Sequence, residues 1–110
     1  MLEKHYVYVG NKRFAVKADV PKRCRFVWDC VRGASLPTSH VRLTGAWRYI
    51  DLQKVTGHSS SDVKMRELAR LNPKLFEVKK VQSESSAARY ATYKLRKGVL
   101  MPAAQHGGGR

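Results

Sequence analysis

Residues 5–19, HYVYVGNKRFAVKAD, restrict the fold more than any other stretch of the chain. Two runs rich in β-branched and aromatic residues flank Gly10-Asn11, a pair suited to the primed two-residue turn of a β-hairpin. On the second run Phe14, Val16 and Ala18 share one face while Arg13, Ala15 and Lys17 share the other, because successive side chains alternate across a strand. One side of the hairpin is apolar and needs cover; the other is partly basic.

Pro21 then opens a helical pattern and Gly33 closes it, the usual asymmetry of proline in the first turn and glycine just past the end. A helix is predicted over 21–32, with Cys24, Val27, Trp28 and Val31 on one stripe and Phe26 and Cys30 on a second, narrower strip. Such a helix packs on two sides. The hairpin is a candidate for the second contact, leaving Lys22, Arg25 and Arg32 toward solvent or a polyanion. Residues 33–46 read as a Gly-, Ser-, Thr- and Pro-rich connector punctuated only by Arg42. In 47–57, Trp47, Tyr49 and Ile50 favour a strand, whereas Leu52 and Val55 followed by Gly57 favour a helix. The expectation is a brief strand passing into a helix of under two turns.

A turn at 56–59 leads to a helix over 60–72, capped by the serines and ended by the Asn72-Pro73 step, which disfavours helical geometry before the proline. Met65, Leu68 and Ala69 face inward, and Arg66 and Arg70 lie one turn apart on the opposite side with Lys64 beside them. LFEVKKV (75–81) and ARYATYKLRK (88–97) read as two strands joined by a polar loop, 82–87. On the last strand Ala91, Tyr93 and Leu95 alternate with Tyr90, Thr92, Lys94 and Arg96.

Charge supplies the functional prior. Among 110 residues, 22 Lys and Arg face 8 Asp and Glu, a formal charge of +14. Fourteen excess positive charges oppose compaction unless something anionic neutralises them, and phosphate backbones are the commonest cellular polyanion. With 43% hydrophobic residues the chain is nevertheless no disordered basic tail. No apolar run approaches the ~20 residues that span a bilayer, no leader is apparent at the N-terminus, and neither membrane nor small-molecule substrate is expected as a partner. Cys24 and Cys30 lie about 240° apart around a helix and cannot pair within it; both are expected reduced. The scattered His5, His40, His58 and His106 form no zinc spacing with the cysteines. Ser61-x-x-Lys64 reads as a helix cap followed by a surface lysine, and no catalytic motif, metal or cofactor is expected.

From residue 21 the elements run helix, short strand, short helix, turn, helix, strand, loop, strand. This order over 21–97 resembles the winged-helix variant of the helix-turn-helix, with 58–61 in the turn, 60–72 as the third helix and 82–89 as the wing tip. The expected fold is thus α+β: an N-terminal β-hairpin (1–20), a compact winged-helix-like three-helix core with a C-terminal β-hairpin (21–97), and an extended tail (98–110). The resemblance implies contacts with nucleic acid from Lys64, Arg66 and Arg70 on the third helix. Lys79, Lys80, Arg89, Lys94, Arg96 and Lys97 would contribute from the wing, and Lys12, Arg13, Lys22 and Arg25 complete the candidate set.

Residues 73–97 hold seven basic and two acidic residues, whereas 59–72 hold three and two, with Glu67 between the arginines. A reading helix of net +1 suits a DNA major groove poorly, because each carboxylate cancels part of the attraction to phosphate. Charge that surrounds a small fold instead suits a chain embedded in folded RNA. The expected role is an RNA-binding structural component of a ribonucleoprotein, a small ribosomal protein of the cytoplasm or mitochondrial matrix, in contact with rRNA and neighbouring proteins. The alternative is a winged-helix DNA-binding subunit of a transcription complex. Tyr90, Tyr93, Lys94 and Arg96 form an aromatic-basic strand that can stack on bases, although Tyr93 reads more readily as core.

Overall fold

Gly10 adopts φ +63° and, among the described residues, no other residue type has positive φ, so the turn at Gly10-Asn11 is of the primed kind that takes glycine at its first central position. Around it β1 (Glu3–Val9) pairs antiparallel with β2 (Lys12–Ala18), placing Val7 opposite Phe14 and His5 opposite Val16. The computed structural model describes residues 1–33, 38–82, 89–96 and 101–102. After the hairpin come a 3-10 turn (Lys22–Cys24), α1 (Arg25–Val31), α2 (Ser39–Thr44), α3 (Tyr49–Thr56) and α4 (Ser61–Leu71). Strands β3 (Phe76–Gln82), β4 (Arg89–Leu95) and β5 (Met101–Pro102) complete the mixed α/β chain.

Periodic segments behave as expected, and the departures have local causes. The helix expected over 21–32 begins as a 3-10 turn, closed by the Cys24 N–H donating to the Pro21 carbonyl at 2.8 Å. Cys24 is thereby turned onto α4, where its thiol lies 3.6 Å from the Lys64 carbonyl. Val27, Trp28 and Val31 are buried as predicted. The second strip of α1 has a different neighbour from the one expected: the Phe26 ring meets His58, in the turn between α3 and α4, edge-on at 5.4 Å. The hairpin instead meets the first stripe, His5 standing edge-on to Trp28 at 5.3 Å.

The connector 33–46 contains α2, whose N-cap Thr38 accepts the Val41 N–H; with Val41 its one buried residue, the helix has no readable period. The brief strand at 47 shrinks to a bridge in which Trp47 and Tyr93 exchange N–H···O bonds of 2.7 and 2.9 Å. Helix α3 runs eight residues, slightly longer than expected. Nor is the expected tail wholly extended away from the fold. Met101 and Pro102 add to β2 opposite Ala15 and Phe14, making the sheet three-stranded in the order β1-β2-β5. Residues 83–88 of the expected wing tip (82–89), Lys97 and the rest of the tail lie outside the described residues.

Helices α1, α3 and α4 contact one another pairwise, and α4 also meets β3. Val7, Val16 and Ala18 from the hairpin join Val27, Trp28, Leu52, Met65, Leu68 and Phe76 in one hydrophobic cluster. Two polar devices seat the hairpin on this core. The Tyr8 N–H donates to the Arg32 carbonyl at 2.8 Å; this approach is so close that a Cβ on Gly33, at φ +88°, would lie 2.3 Å from the Tyr8 oxygen. Glycine is therefore required there. At the other end Asn72 accepts the Asp19 N–H at 2.7 Å and donates to the Asp19 and Leu68 carbonyls at 2.9 Å each.

Asn72→Ala removes all three side-chain bonds, each worth about 1 kcal/mol net. A loss of about 2–3 kcal/mol is expected, read as a lower urea midpoint at unchanged slope. A second prediction concerns pH. Burial, opposed by Glu3 and reinforced by Arg25 and Arg32, lowers His5 below its ordinary 6.5. Above that value both states hold His5 neutral; below it the unfolded chain takes up a proton that the folded one resists, so stability falls as pH drops. Urea titrations at pH 7.5 and 5.5 should show this loss in the native chain and a smaller one in His5→Phe.

Candidate nucleic-acid interface

Each described basic residue singled out from the sequence falls on one of four regions. Lys12 and Arg13 follow the β1-β2 turn, and Lys22 and Arg25 lie at the start of α1; all four are exposed. On α4, Arg66 and Arg70 are exposed and Lys64 half-buried. Glu67 does not stand free between the arginines. Its carboxylate takes hydrogen bonds from Arg23, which hold it below the usual carboxylate range. Arg66 in turn pairs with Asp62 at 3.3 Å, so among the described residues Arg70 is the arginine of α4 without an ion pair.

The β3-β4 hairpin leaves the core early. Phe76 is buried, but Val78 through Gln82 are exposed on both faces of the strand. Its register puts Lys79 opposite Thr92, Lys80 opposite Ala91 and Gln82 opposite Arg89, so Lys79 and Lys80 project from opposite faces. Lys79 lies 3.9 Å from Glu77. Toward the base of the hairpin the cations are drawn into the fold. The Lys94 side chain runs over Gly45 at the end of α2, and Arg96 Nε donates to the Phe76 carbonyl at 3.1 Å and toward that of Pro73 at 3.3 Å.

The aromatic-basic strand of Tyr90, Tyr93, Lys94 and Arg96 is thus dispersed. Tyr93 is 2% exposed; burial raises its hydroxyl above the ordinary 10, beside Asp62 and Arg66 of α4. It is a core residue, as its alternation with Thr92 and Lys94 implies.

An aromatic-basic face does exist, on the first hairpin. Lys4, Tyr6 and Tyr8 of β1 stand opposite Lys17, Ala15 and Arg13 of β2 on the side away from the core. The Arg13 guanidinium sits 4.4 Å from the centre of the Tyr6 ring, Lys4 Nζ 5.5 Å from the same ring, and Arg32 5.8 Å from that of Tyr8. Adjoining this face is a groove of about 800 Å³, lined by Leu2, Ala15, Leu71, Pro73 and Leu75 with Lys4, Lys17 and Lys74 among its walls. Tyr6, Tyr8, Lys4, Lys17 and Lys74 were not candidates from sequence, and Arg32 was read only as turned toward solvent or a polyanion. The signal was present: a two-residue turn at Gly10-Asn11 pairs Tyr8 with Arg13 and fixes every later pair, Tyr6 with Ala15 and Lys4 with Lys17.

Other chemistry is sparse. Both cysteines are free thiols raised by burial, Cys24 also by Glu67 and Cys30 by Asp29. Among the described residues no group of His, Cys, Asp and Glu could hold a metal ion, and no helix is long and apolar enough to cross a membrane. No family model matches the chain, and no curated protein or solved structure matches it significantly.

One cation is structural. Arg48 clasps the wholly buried Asp51 through Nε at 2.9 Å and Nη2 at 3.0 Å, while Thr38 Oγ1 and the Arg48 N–H complete its shell. Burial works to raise this carboxyl, but the Arg48 and Thr38 hydrogen bonds outweigh it and hold it low. Arg48→Ala leaves a buried charge without its partner and should cost about 3 kcal/mol. Arg70→Ala, on an exposed helix face, should stay within about 0.5 kcal/mol of the native chain; thermal melts of the two variants check the contrast.

Proposed function

We propose that the protein is an RNA-binding structural component of a ribonucleoprotein particle, a small ribosomal protein of the cytoplasm or mitochondrial matrix held by rRNA and neighbouring proteins. The observation that carries this reading is the spread of exposed cations. Lys12 and Arg13, Lys22 and Arg25, Arg70, and Lys79 and Lys80 belong to four different elements or turns, and the last two point to opposite sides of one hairpin. A polyanion that meets a small fold from several directions neutralises such a distribution; a straight duplex lying along one face does not.

Within this reading residues 21–97 are a winged-helix-like core. The mutual contacts of α1, α3 and α4 support assigning them as its three helices. The bridge from Trp47 to Tyr93 takes the place of the short strand between the first two, and β3-β4 is the wing. Helix α2 and the β1-β2-β5 sheet are additions. A duplex-DNA reading draws on the exposed face of α4, where Val63, Arg66 and Arg70 lie together, but the pairing of Arg66 with Asp62 leaves that face weakly charged.

The native chain should co-sediment with a large particle from its source cell, and RNase should release it; a monomeric pool indifferent to RNase would sink the proposal. Charge reversal separates the two polyanions. If RNA surrounds the fold, Lys79→Glu with Lys80→Glu weakens binding at least as much as Arg66→Glu with Arg70→Glu. A much larger loss from the α4 pair supports duplex DNA.

A further inference from the structure

We propose that the outer face of β1 and β2 is a stacking platform for single-stranded RNA. Tyr6 and Tyr8 receive two unpaired bases, and Lys4, Lys17 and Lys74 hold the phosphates that run toward the groove beside α4. The proposal deepens the RNA-binding reading above and rests on it.

Tyrosine suits a strand, but burial of the hairpin does not require it at these two positions. Its core face is already made by Val7, Phe14, Val16 and Ala18, and residues on the opposite face are free to be small or polar. Two large rings are nevertheless placed there, both partly exposed. As i and i+2 residues of one strand they project to the same side about 7 Å apart, a spacing that seats two splayed bases side by side. The cross-strand neighbour of Tyr6 is Ala15, whose side chain is a single methyl. Arg13 approaches that ring from the diagonal position, bringing a cation to the π-face and adding a planar group on which a base can also stack.

The charges select the ligand. On the strands this face carries Lys4, Arg13 and Lys17 and no carboxylate, since Glu3 pairs with Ala18 on the other side; Arg32 stands beside Tyr8. Lys74 extends the row across the groove, which Lys4 and Lys17 also line. Cations bordering two aromatic rings match a chain of alternating phosphates and bases. A duplex keeps its base faces inside the helix and can offer such rings only its backbone, whereas a single strand can lay its bases on them.

The test measures affinity for a 12-nucleotide uridine RNA and a 12-base-pair RNA duplex over a range of salt, with the full chain. Tyr6→Ala with Tyr8→Ala should lose at least tenfold on the single strand, with unchanged salt slope, and less than twofold on the duplex. Tyr6→Phe with Tyr8→Phe, which keeps the rings, should restore the affinity. Lys4→Gln with Lys17→Gln should flatten the single-strand salt slope by about 1.4, from two lost phosphate contacts. The platform is overturned if the alanine pair, folded by circular dichroism, binds the single strand as the native chain does, or loses equally on both ligands. It is likewise overturned if the alanine pair does not fold and the glutamine pair leaves the slope unchanged. A native chain that binds neither RNA refutes the RNA-binding reading itself.

Discussion

The side-chain amide of Asn72 is the joint on which the arrangement of the two halves depends. It sits where α4 must stop, because a proline follows, and it satisfies both the N–H and the C=O of Asp19 just after β2 while closing the last turn of the helix at Leu68. Its own carbonyl accepts the N–H groups of Leu75 and Phe76. One residue therefore ends a helix, aligns the exit of the hairpin and starts β3. Asparagine suits this position because its side chain offers a donor and an acceptor together, and at 6% exposure neither is left to water. Gly33 performs the complementary task at the other end of the hairpin, where only a missing Cβ lets the end of α1 reach Tyr8.

With both ends held, the hairpin turns one face inward and the other outward with no freedom to exchange them. Val7, Val16 and Ala18 close the core against Trp28 and its neighbours, and the aromatic and basic side chains on the alternate positions are left outside. The same logic sorts the cations. Those near the core acquire partners within the chain: Arg23 with Glu67, Arg48 with Asp51, Arg96 with two carbonyls, Lys94 over Gly45. Those on the hairpin turn, the start of α1 and the outer part of β3 stay exposed. Each ion pair removes one charge of either sign and leaves the net +14 unchanged; what the fold decides is which cations face outward.

Legibility followed period length. The first hairpin, α1, α4 and the β3-β4 pair repeat their pattern over seven or more residues, enough for alternation or a helical stripe to show. Helix α2 buries Val41 and little else, and β5 is two residues long, so neither carries a period. Trp47 looked like the start of a strand and is a single bridge, because the chain turns into α3 under the control of Asp51. Tyr93 was readable as core from its alternation with Thr92 and Lys94. The face formed by Tyr6, Tyr8, Arg13 and Lys17 was latent in the register set by Gly10-Asn11, but its importance appears only when the core is seen to occupy the other side.

By itself the sequence determined the local elements, the apolar faces that had to be covered and the excess of positive charge, since all three depend on spacing and composition alone. Only the tertiary structure decided which apolar face covers which, that Phe26 meets His58 while the hairpin meets Trp28, and which cations find an internal partner. Those outcomes depend on contacts between residues dozens of positions apart, such as Asp19 with Asn72 and Arg23 with Glu67, and local spacing carries no information about them.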